Sequence, residues 1–210
     1  MSDKNQFSAL LMWNQNAETL GGLYVSYLAT QQQIKILLET KWCDDIDDPS
    51  ENKQRMKSVG ASAIRYKKFL NTSAILILAK SIEDCIFFVK KDTGDTINFW
   101  RDARRYQCGD IAKEIRSLAN VIKHNVNIVE GKDCEFLIKK CSYREGASLD
   151  SMMSNEEGIF DIPETISKMF VFLASMVEVH TGMRHPIQSI SPDEWGAKIK
   201  AILVPDVLKL

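Results

Sequence analysis

An amphipathic helical pattern runs through the segment from Asp110 to Asn127, DIAKEIRSLANVIKHNVN. At about 100° per residue, one side carries an apolar stripe with a small apolar shoulder: Ile111, Ile115, Leu118 and Ile122, then Ala112, Ala119 and Val126. The opposite side collects the polar strip: Lys113, Arg116, Asn120, Lys123, His124 and Asn127. Asp110 is suited to cap the first turn, where Glu114 also lies early. The pattern predicts a helix with one buried and one polar face.

Helical periodicity dominates the rest of the chain as well, so the predicted fold class is mainly α. We expect one helical domain over residues 1–210, a bundle with a small β-hairpin or irregular insertion around 126–160. The remaining predicted helices cover residues 7–20, 23–42, 51–91, 96–107, 164–180 and about 191–203. Gly21-Gly22 is either a turn or a weak point in one long helix, and Gly60 and Asn71 are candidate breaks in the next. Thr72 to Lys90 is the expected central core helix.

Loop signals separate these helices. Cys43 to Glu51 is an acidic loop that leads into a helix capped by Ser50; its Asp cluster lacks the calcium-loop pattern. Glu130 to Asp133 separates two short apolar runs, which predicts the hairpin. Residues 142–160 show little periodicity and predict a flexible loop. Asp161 is expected to start the following helix and Gly182 to end it.

Composition and charge exclude several classes of protein. The formal net charge of −1 argues against coating nucleic acid by bulk electrostatics, so any such contact needs a local patch. The first residues are polar, and no apolar run approaches a membrane span, so we expect a cytoplasmic protein that does not contact membranes. The five cysteines are scattered, which favours reduced thiols and argues against a zinc site. No cofactor motif is present, and neither a cofactor nor a metal is expected.

The polar strip places three chemically useful groups on one ridge, since Arg116, Asn120 and His124 are four residues apart. A histidine can act as general base or acid near neutral pH. An arginine can hold a phosphate through two donors, and an asparagine can orient a hydroxyl or fix the histidine tautomer. These are the parts that metal-independent cleavage of RNA requires. One helix forms only half a cleft, so a symmetric second copy is expected to complete it.

A helical domain whose late helix carries Arg, a polar residue and then His resembles the HEPN superfamily of small helical RNases and nucleotide-binding domains. That family occurs in toxin–antitoxin, abortive-infection and CRISPR-associated systems, and its signature is Arg, a spacer of about four to six residues, then His, often with Asn after the Arg. The matching stretch here is RSLANVIKH, in which seven residues separate Arg116 from His124 and Ser117 follows the Arg. The resemblance implies that Arg116 and His124 are a catalytic pair with Asn120 as orienting neighbour. It also implies that Lys113 and Lys123 contact RNA phosphates.

Other assignments stay open at this point. Arg101, Arg104 and Arg105 share a helical face next to the strip, and are either phosphate contacts or a solvated surface. The strip is alternatively a structural seam, in which case the protein is a non-catalytic interaction protein, such as an inactive HEPN relative or an antitoxin-like partner of a protein encoded nearby. It could also grip a nucleotide without cleaving it. Finally, Glu178, His180 and His185 are a possible metal site, although His at a helix end more often caps carbonyls.

Overall fold

The computed structural model describes residues 3–42, 47–154, 161–184, 194 and 197. They form seven α-helices: α1 (Asp3–Glu39), α2 (Pro49–Thr93), α3 (Phe99–Asp102), α4 (Gly109–His124), α5 (Glu135–Lys140), α6 (Leu149–Ser154) and α7 (Ile162–Thr181). Single 3-10 turns at Ala103–Arg105 and Lys132–Cys134 precede α4 and α5. Within these residues the only β pairing is an isolated antiparallel bridge between Ile128 and Ser148. The prediction of a mainly α fold is confirmed.

Two long helices, α1 and α2, form an antiparallel hairpin. Tyr27 on α1 donates a hydrogen bond of 2.8 Å to the Asn71 side chain on α2, and the Asn71 amide donates at 2.7 Å to the carbonyl of Met153 in α6. Asn71 is thus a buried linking residue and not a helix break. Neither Gly21-Gly22 nor Gly60 interrupts its helix. Gly21-Gly22 lies between the buried side chains of Leu20 and Leu23, whereas no side chain of α2 before Gly60 is buried.

The ends of α2 and α7 are set by local capping interactions, some of which the sequence predicts correctly. The N-cap of α2 is Asp48, whose carboxylate accepts the Ser50 N–H at 2.8 Å, so the prediction that Ser50 is the cap was wrong. Pro49 takes the first helical position because its missing N–H is not needed there. Asp161 caps α7 by accepting the Glu164 N–H at 2.9 Å, and Gly182 ends it with φ of 72°, both as predicted.

The bundle is built on α7, which is buried on nearly all sides. It packs against both α1 and α2 and ends beside the turn that follows α2. Helix α4 lies against α2, α5 and α7. The largest fully buried side chains come from all of these elements: Leu20, Ile75, Leu78, Ile82, Ile115, Leu118, Leu137, Leu149, Ile162, Ile166 and Phe172. Such a core ties α4 into the interior from several directions.

The far ends of α1 and α2 have few partners. We call residues 28–38 of α1 and 52–68 of α2 the distal hairpin. Only Ile34 and Ala63 are buried in it. At 1.5 Å per residue, α2 is about 68 Å long, whereas α7 is about 30 Å long. The distal hairpin is therefore a two-helix extension of the bundle.

The segment from residue 126 to 154 differs from the prediction. The expected β-hairpin is wrong, because residues 132–140 form a 3-10 turn and α5, which pack Cys134 and Leu137 into the core. The loop predicted from residue 142 contains α6. Val126 and Asn127 adopt positive φ angles of 49° and 63°, so α4 has already ended before them. Residues 155–160, His185 and the helix predicted from Ser191 to Leu203 lie largely or wholly outside the described residues.

Candidate functional site

The row Arg116, Asn120 and His124 lies within one uninterrupted helix, α4, on three successive turns. Arg116 and Asn120 are half-buried, and His124 is exposed at the last helical position, beside exposed Lys123. The side chains of Asn120 and His124 have no hydrogen-bond partner among the described residues. The row is thus open to solvent mainly at its C-terminal end.

The N-terminal part of the predicted strip is closed. Lys113 is only 4% exposed, and its Nζ lies 5.9 Å from the centre of the Phe136 ring on α5. Ser117 is also fully buried and donates to the Lys113 carbonyl at 2.8 Å. The prediction that Lys113 contacts RNA phosphates was wrong, because α5 covers this side of α4. Asn127 lies outside the helix, where its amide donates to Asp150 at 2.8 Å, and Val126 is 86% exposed and not a shoulder of the buried face.

Arg116 is held by an aromatic ring. Its guanidinium carbon lies 4.7 Å from the centre of the Phe99 ring on α3, a cation–π distance. Phe99 is itself buried and meets Phe172 of α7 edge-to-face, with ring centres 6.3 Å apart. The guanidinium of Arg116 is therefore positioned by side chains of the core.

The three arginines before α4 do not share one helical face. Arg101 belongs to α3, while Arg104 and Arg105 lie in the 3-10 turn. Arg101 makes two hydrogen bonds of 2.8 and 3.1 Å to the Asp102 carboxylate, which neutralises its charge locally. These bonds, with the Asn98 N–H, lower the pKa of Asp102 to about 2. Arg104 and Arg105 remain exposed.

A cavity of about 540 Å³ opens near the first turns of α4. Arg104 and Lys140 line it together with Asp110 and Glu114. Burial raises the pKa of Glu114, although the Tyr143 hydroxyl donates to it at 3.1 Å. Burial likewise raises the pKa of the Cys141 thiol to about 12, so this thiol is protonated at neutral pH and is not a nucleophile.

The start of α4 also departs from the predicted pattern. The N-cap position is Cys108, which has a left-handed φ of 56° and no capping side chain. Asp110 is the second residue of the helix and does not cap it. Gly109 packs so closely that a Cβ there would lie 1.9 Å from the Ala103 carbonyl oxygen. The helix start is therefore set by backbone packing and not by a capping side chain.

A second polar cluster joins three distant parts of the chain. The His180 Nδ1 lies 2.6 Å from an Asp95 carboxylate oxygen, and its Nε2 lies 2.8 Å from the Tyr106 hydroxyl. Ser175, also on α7, accepts the Gln107 N–H at 3.1 Å. Tyr106 is buried, and desolvation raises its pKa, so it is a neutral hydroxyl closed to substrate. This cluster fastens the segment carrying Phe99 and the arginines to α7.

From the sequence, His180 was predicted only as a metal ligand or as a cap of the carbonyls at a helix end. Among the described residues, no three His, Cys, Asp or Glu side chains are placed to hold a metal ion. The two partners of His180 are separated from it by 85 and 74 residues. No local spacing signal links residues so far apart, so the cluster was not predictable from the sequence alone.

The fold defines a mainly α-helical bundle protein with a long hairpin extension, and within the described residues none of its helices has the length and apolar character needed to cross a membrane. No family model matches the sequence, and neither curated proteins nor solved structures gave a match.

Proposed function

We propose that this protein is a HEPN-like RNA-binding protein that cleaves RNA without a metal, and that Arg116, Asn120 and His124 form its site. The observation that carries the proposal is the row itself: three side chains suited to phosphate and proton chemistry follow one another along α4. Two of them have no side-chain partner among the described residues. Exposed Lys123, Arg104 and Arg105 are the cations left to contact flanking phosphates.

In this mechanism, His124 takes the proton from a 2′-hydroxyl, and the resulting oxygen attacks the adjacent phosphate. The bond from phosphorus to the 5′-oxygen breaks, and the 5′-oxygen takes a proton from water, which gives a 2′,3′-cyclic phosphate and a free 5′-hydroxyl. His124 then returns its proton to the solvent, which restores the starting state. Arg116 stabilises the negative charge on the pentacovalent phosphate, and its stacking on Phe99 keeps the guanidinium oriented. Asn120, between them, orients the reacting hydroxyl.

Helix geometry favours a site built from two copies. Arg116 and His124 are eight residues apart, so their backbones are separated by about 12 Å along the axis of α4. One phosphate is too small to bridge that distance easily. If two α4 helices cross antiparallel about Asn120, then Arg116 of one copy faces His124 of the other, because both residues lie four positions from the centre. A two-fold dimer would thus hold two composite sites. In a defence or toxin–antitoxin setting, a protein encoded nearby would control it.

The experiment is RNA cleavage in EDTA with purified wild-type protein and the variants Arg116→Ala and His124→Ala. We expect each variant to lose about 100-fold or more of the activity, because each removes a group that acts only in the transition state. Arg144→Ala, at an exposed arginine that is not part of the row, is the matched control. Absence of cleavage by the wild type, or equal cleavage by all variants, would overturn the proposal.

The two-copy arrangement has its own test. Arg116→Ala and His124→Ala proteins are mixed under conditions that allow subunits to exchange. A mixed dimer has one site with both functional side chains, so the mixture should recover about a quarter of the wild-type activity. If Arg116 and His124 act within one copy, the mixture stays as inactive as its components.

A second candidate is a non-catalytic helical interaction protein. It is favoured by the burial of Lys113 and the pairing of Arg101 with Asp102, which leave few free cations near the row. An interaction protein of this kind is expected to bind neither RNA nor nucleotides. A nucleotide-binding protein would instead melt at a higher temperature in the presence of its ligand. Thermal melting against a panel of nucleotides and a single-stranded RNA separates these possibilities.

A further inference from the structure

The distal hairpin carries a groove that nothing in the described structure fills. The groove runs between α1 and α2, holds a cavity of about 520 Å³ and lies far from the Arg116 row. Ile34 and Ala63 form its floor, and Leu38 and Ile64 form its walls. Leu38 is 46% and Ile64 is 53% exposed, which is high for large apolar side chains on facing helices.

Glycine at position 60 keeps one side of this groove open. Gly60 lines the cavity, and a Cβ built on it meets no atom within 4 Å. In the middle of a helix, Gly costs about 1 kcal/mol relative to Ala. Gly60 therefore does not stabilise α2. Its lack of a side chain would instead allow another helix to approach the backbone of α2 closely.

The charge of the hairpin is one-sided. Across residues 28–38 and 52–68 there are seven Lys and Arg residues and no Asp or Glu. Lys35 and Lys67 stand on the rim of the groove. Lys67 makes no salt bridge among the described residues, and Lys35 is 3.7 Å from Glu39. Glu39 also lines the groove beside Lys35, so the lining has two basic residues and one acidic residue, and an acidic occupant would complement its remaining positive charge.

We propose that this groove is the docking site for one amphipathic helix of a partner protein, with apolar residues on one face and Asp or Glu beside them. The groove residues span about two helical turns on each wall, which fits anchors at i, i+3 or i+4, and i+7. Binding would complete a three-helix arrangement over Ile34 and Ala63. This inference is independent of the chemistry proposed for α4.

Two other occupants fit the groove less well. A single RNA strand binds through aromatic stacking and cations, but the groove lining contains no aromatic side chain and includes Glu39. A second copy of the hairpin would bring its own seven basic residues against the first seven, which is a like-charge contact. An acidic helix satisfies both the apolar walls and the cationic rim.

The probe is a displayed library of random 20-residue peptides selected on the full-length protein, with counter-selection on Gly60→Leu. Leucine at position 60 favours helix and points into the groove, so this variant should fold and should block the site. Gly22→Leu on α1 is the matched control, because its Cβ also meets nothing within 4 Å and it lies outside the groove. Peptides that survive counter-selection are expected to show helical apolar spacing and net negative charge.

The affinity of the selected peptides then decides the proposal. We expect Gly60→Leu to weaken binding at least about tenfold and Gly22→Leu to leave it unchanged. Lys35→Glu/Lys67→Glu should also weaken it and should restore binding to a peptide whose acidic residues are replaced by Lys. Selection of basic or extended peptides, insensitivity to Gly60→Leu, or an empty selection would overturn the proposal.

Two further measurements exclude the other occupants. Fluorescent oligouridine RNA is titrated against the wild type and Gly60→Leu, and the mass of both proteins in solution is measured by light scattering. RNA binding lost in Gly60→Leu, or a wild-type dimer dissociated by it, would show that the groove takes RNA or a second copy, and would overturn the docking of an acidic helix. If a dimer persists in Gly60→Leu but is lost in the α4 variants, its interface lies at the proposed RNA site and not at the groove.

Discussion

Glu114 shows how a single residue can couple this fold to pH. It lies on α4, half-buried against the cavity that holds Lys140 and Cys141, with the Tyr143 hydroxyl as its donor. Burial raises its pKa, which means that the folded protein holds this proton more tightly than the unfolded chain does. Ionisation of Glu114 as pH rises therefore destabilises the folded state and lowers the free energy of unfolding.

We predict that the free energy of unfolding contains a contribution from Glu114 that is present at low pH and is lost as pH rises through the raised pKa. Glu114→Gln removes this contribution while its side-chain oxygen can still accept from Tyr143. The free energy of unfolding of Glu114→Gln minus that of the wild type should be larger at pH 7 than at pH 4. Urea denaturation of both proteins at several pH values measures this difference. Glu130→Gln, at an exposed position, is the control. A difference between Glu114→Gln and wild type that is constant across pH would contradict the prediction.

At the scale of elements, two glycines in helices have opposite roles. Gly109 begins α4 against the Ala103 carbonyl, at a distance that excludes a side chain. Gly60 lies within α2, where a side chain meets open space. The same residue type is thus required by packing at one position and is a weak point in the helix at the other.

We predict that Gly109→Ala lowers the free energy of unfolding by about 1–3 kcal/mol or more, because backbone atoms must move to admit the Cβ. Gly60→Ala should raise it by about 0.5–1 kcal/mol through helix propensity. Chemical denaturation of both variants measures the two effects, and Gly22→Ala provides a second open position for comparison. Equal effects at positions 109 and 60 would show that backbone crowding does not set the start of α4.

Much of the element order was predictable because apolar spacing and caps are local. The long helices, Asp161 and Gly182 follow from such signals. The failures come from tertiary contacts. Residues 132–140 are helical because Cys134 and Leu137 are buried against α4, and their weak alternation gives no sign of that. The polar strip was predicted from one helix alone, so the cover that α5 places over Lys113 could not be seen.

On the scale of the whole molecule, one end of the α1–α2 hairpin is packed within the bundle and the other end extends beyond it. From Ala74 to Val89, α2 buries residues in nearly every turn, whereas the distal hairpin buries only Ile34 and Ala63. Local stability in proteins follows the density of buried apolar contacts. One continuous helix should therefore differ in stability from one end to the other.

We predict that amide hydrogens in residues 52–66 of α2 exchange at least about tenfold faster than those in residues 74–89, since opening the distal hairpin does not require the bundle to unfold. Hydrogen exchange measured by mass spectrometry on peptides from the two regions tests this. If the partner helix proposed above binds, the distal region should slow while the bundle region stays unchanged. Uniform protection along α2 would show that the whole helix opens as one unit.

The cluster of Asp95, Tyr106 and His180 has a consequence for which parts of the molecule can move apart. His180, in the last turn of α7, contacts Asp95 just after α2 and Tyr106 just before α4. The chain between Asp95 and Tyr106, which carries α3, is therefore attached to α7 at both of its ends. A movement that carries this whole segment away from α7 has to break both hydrogen bonds.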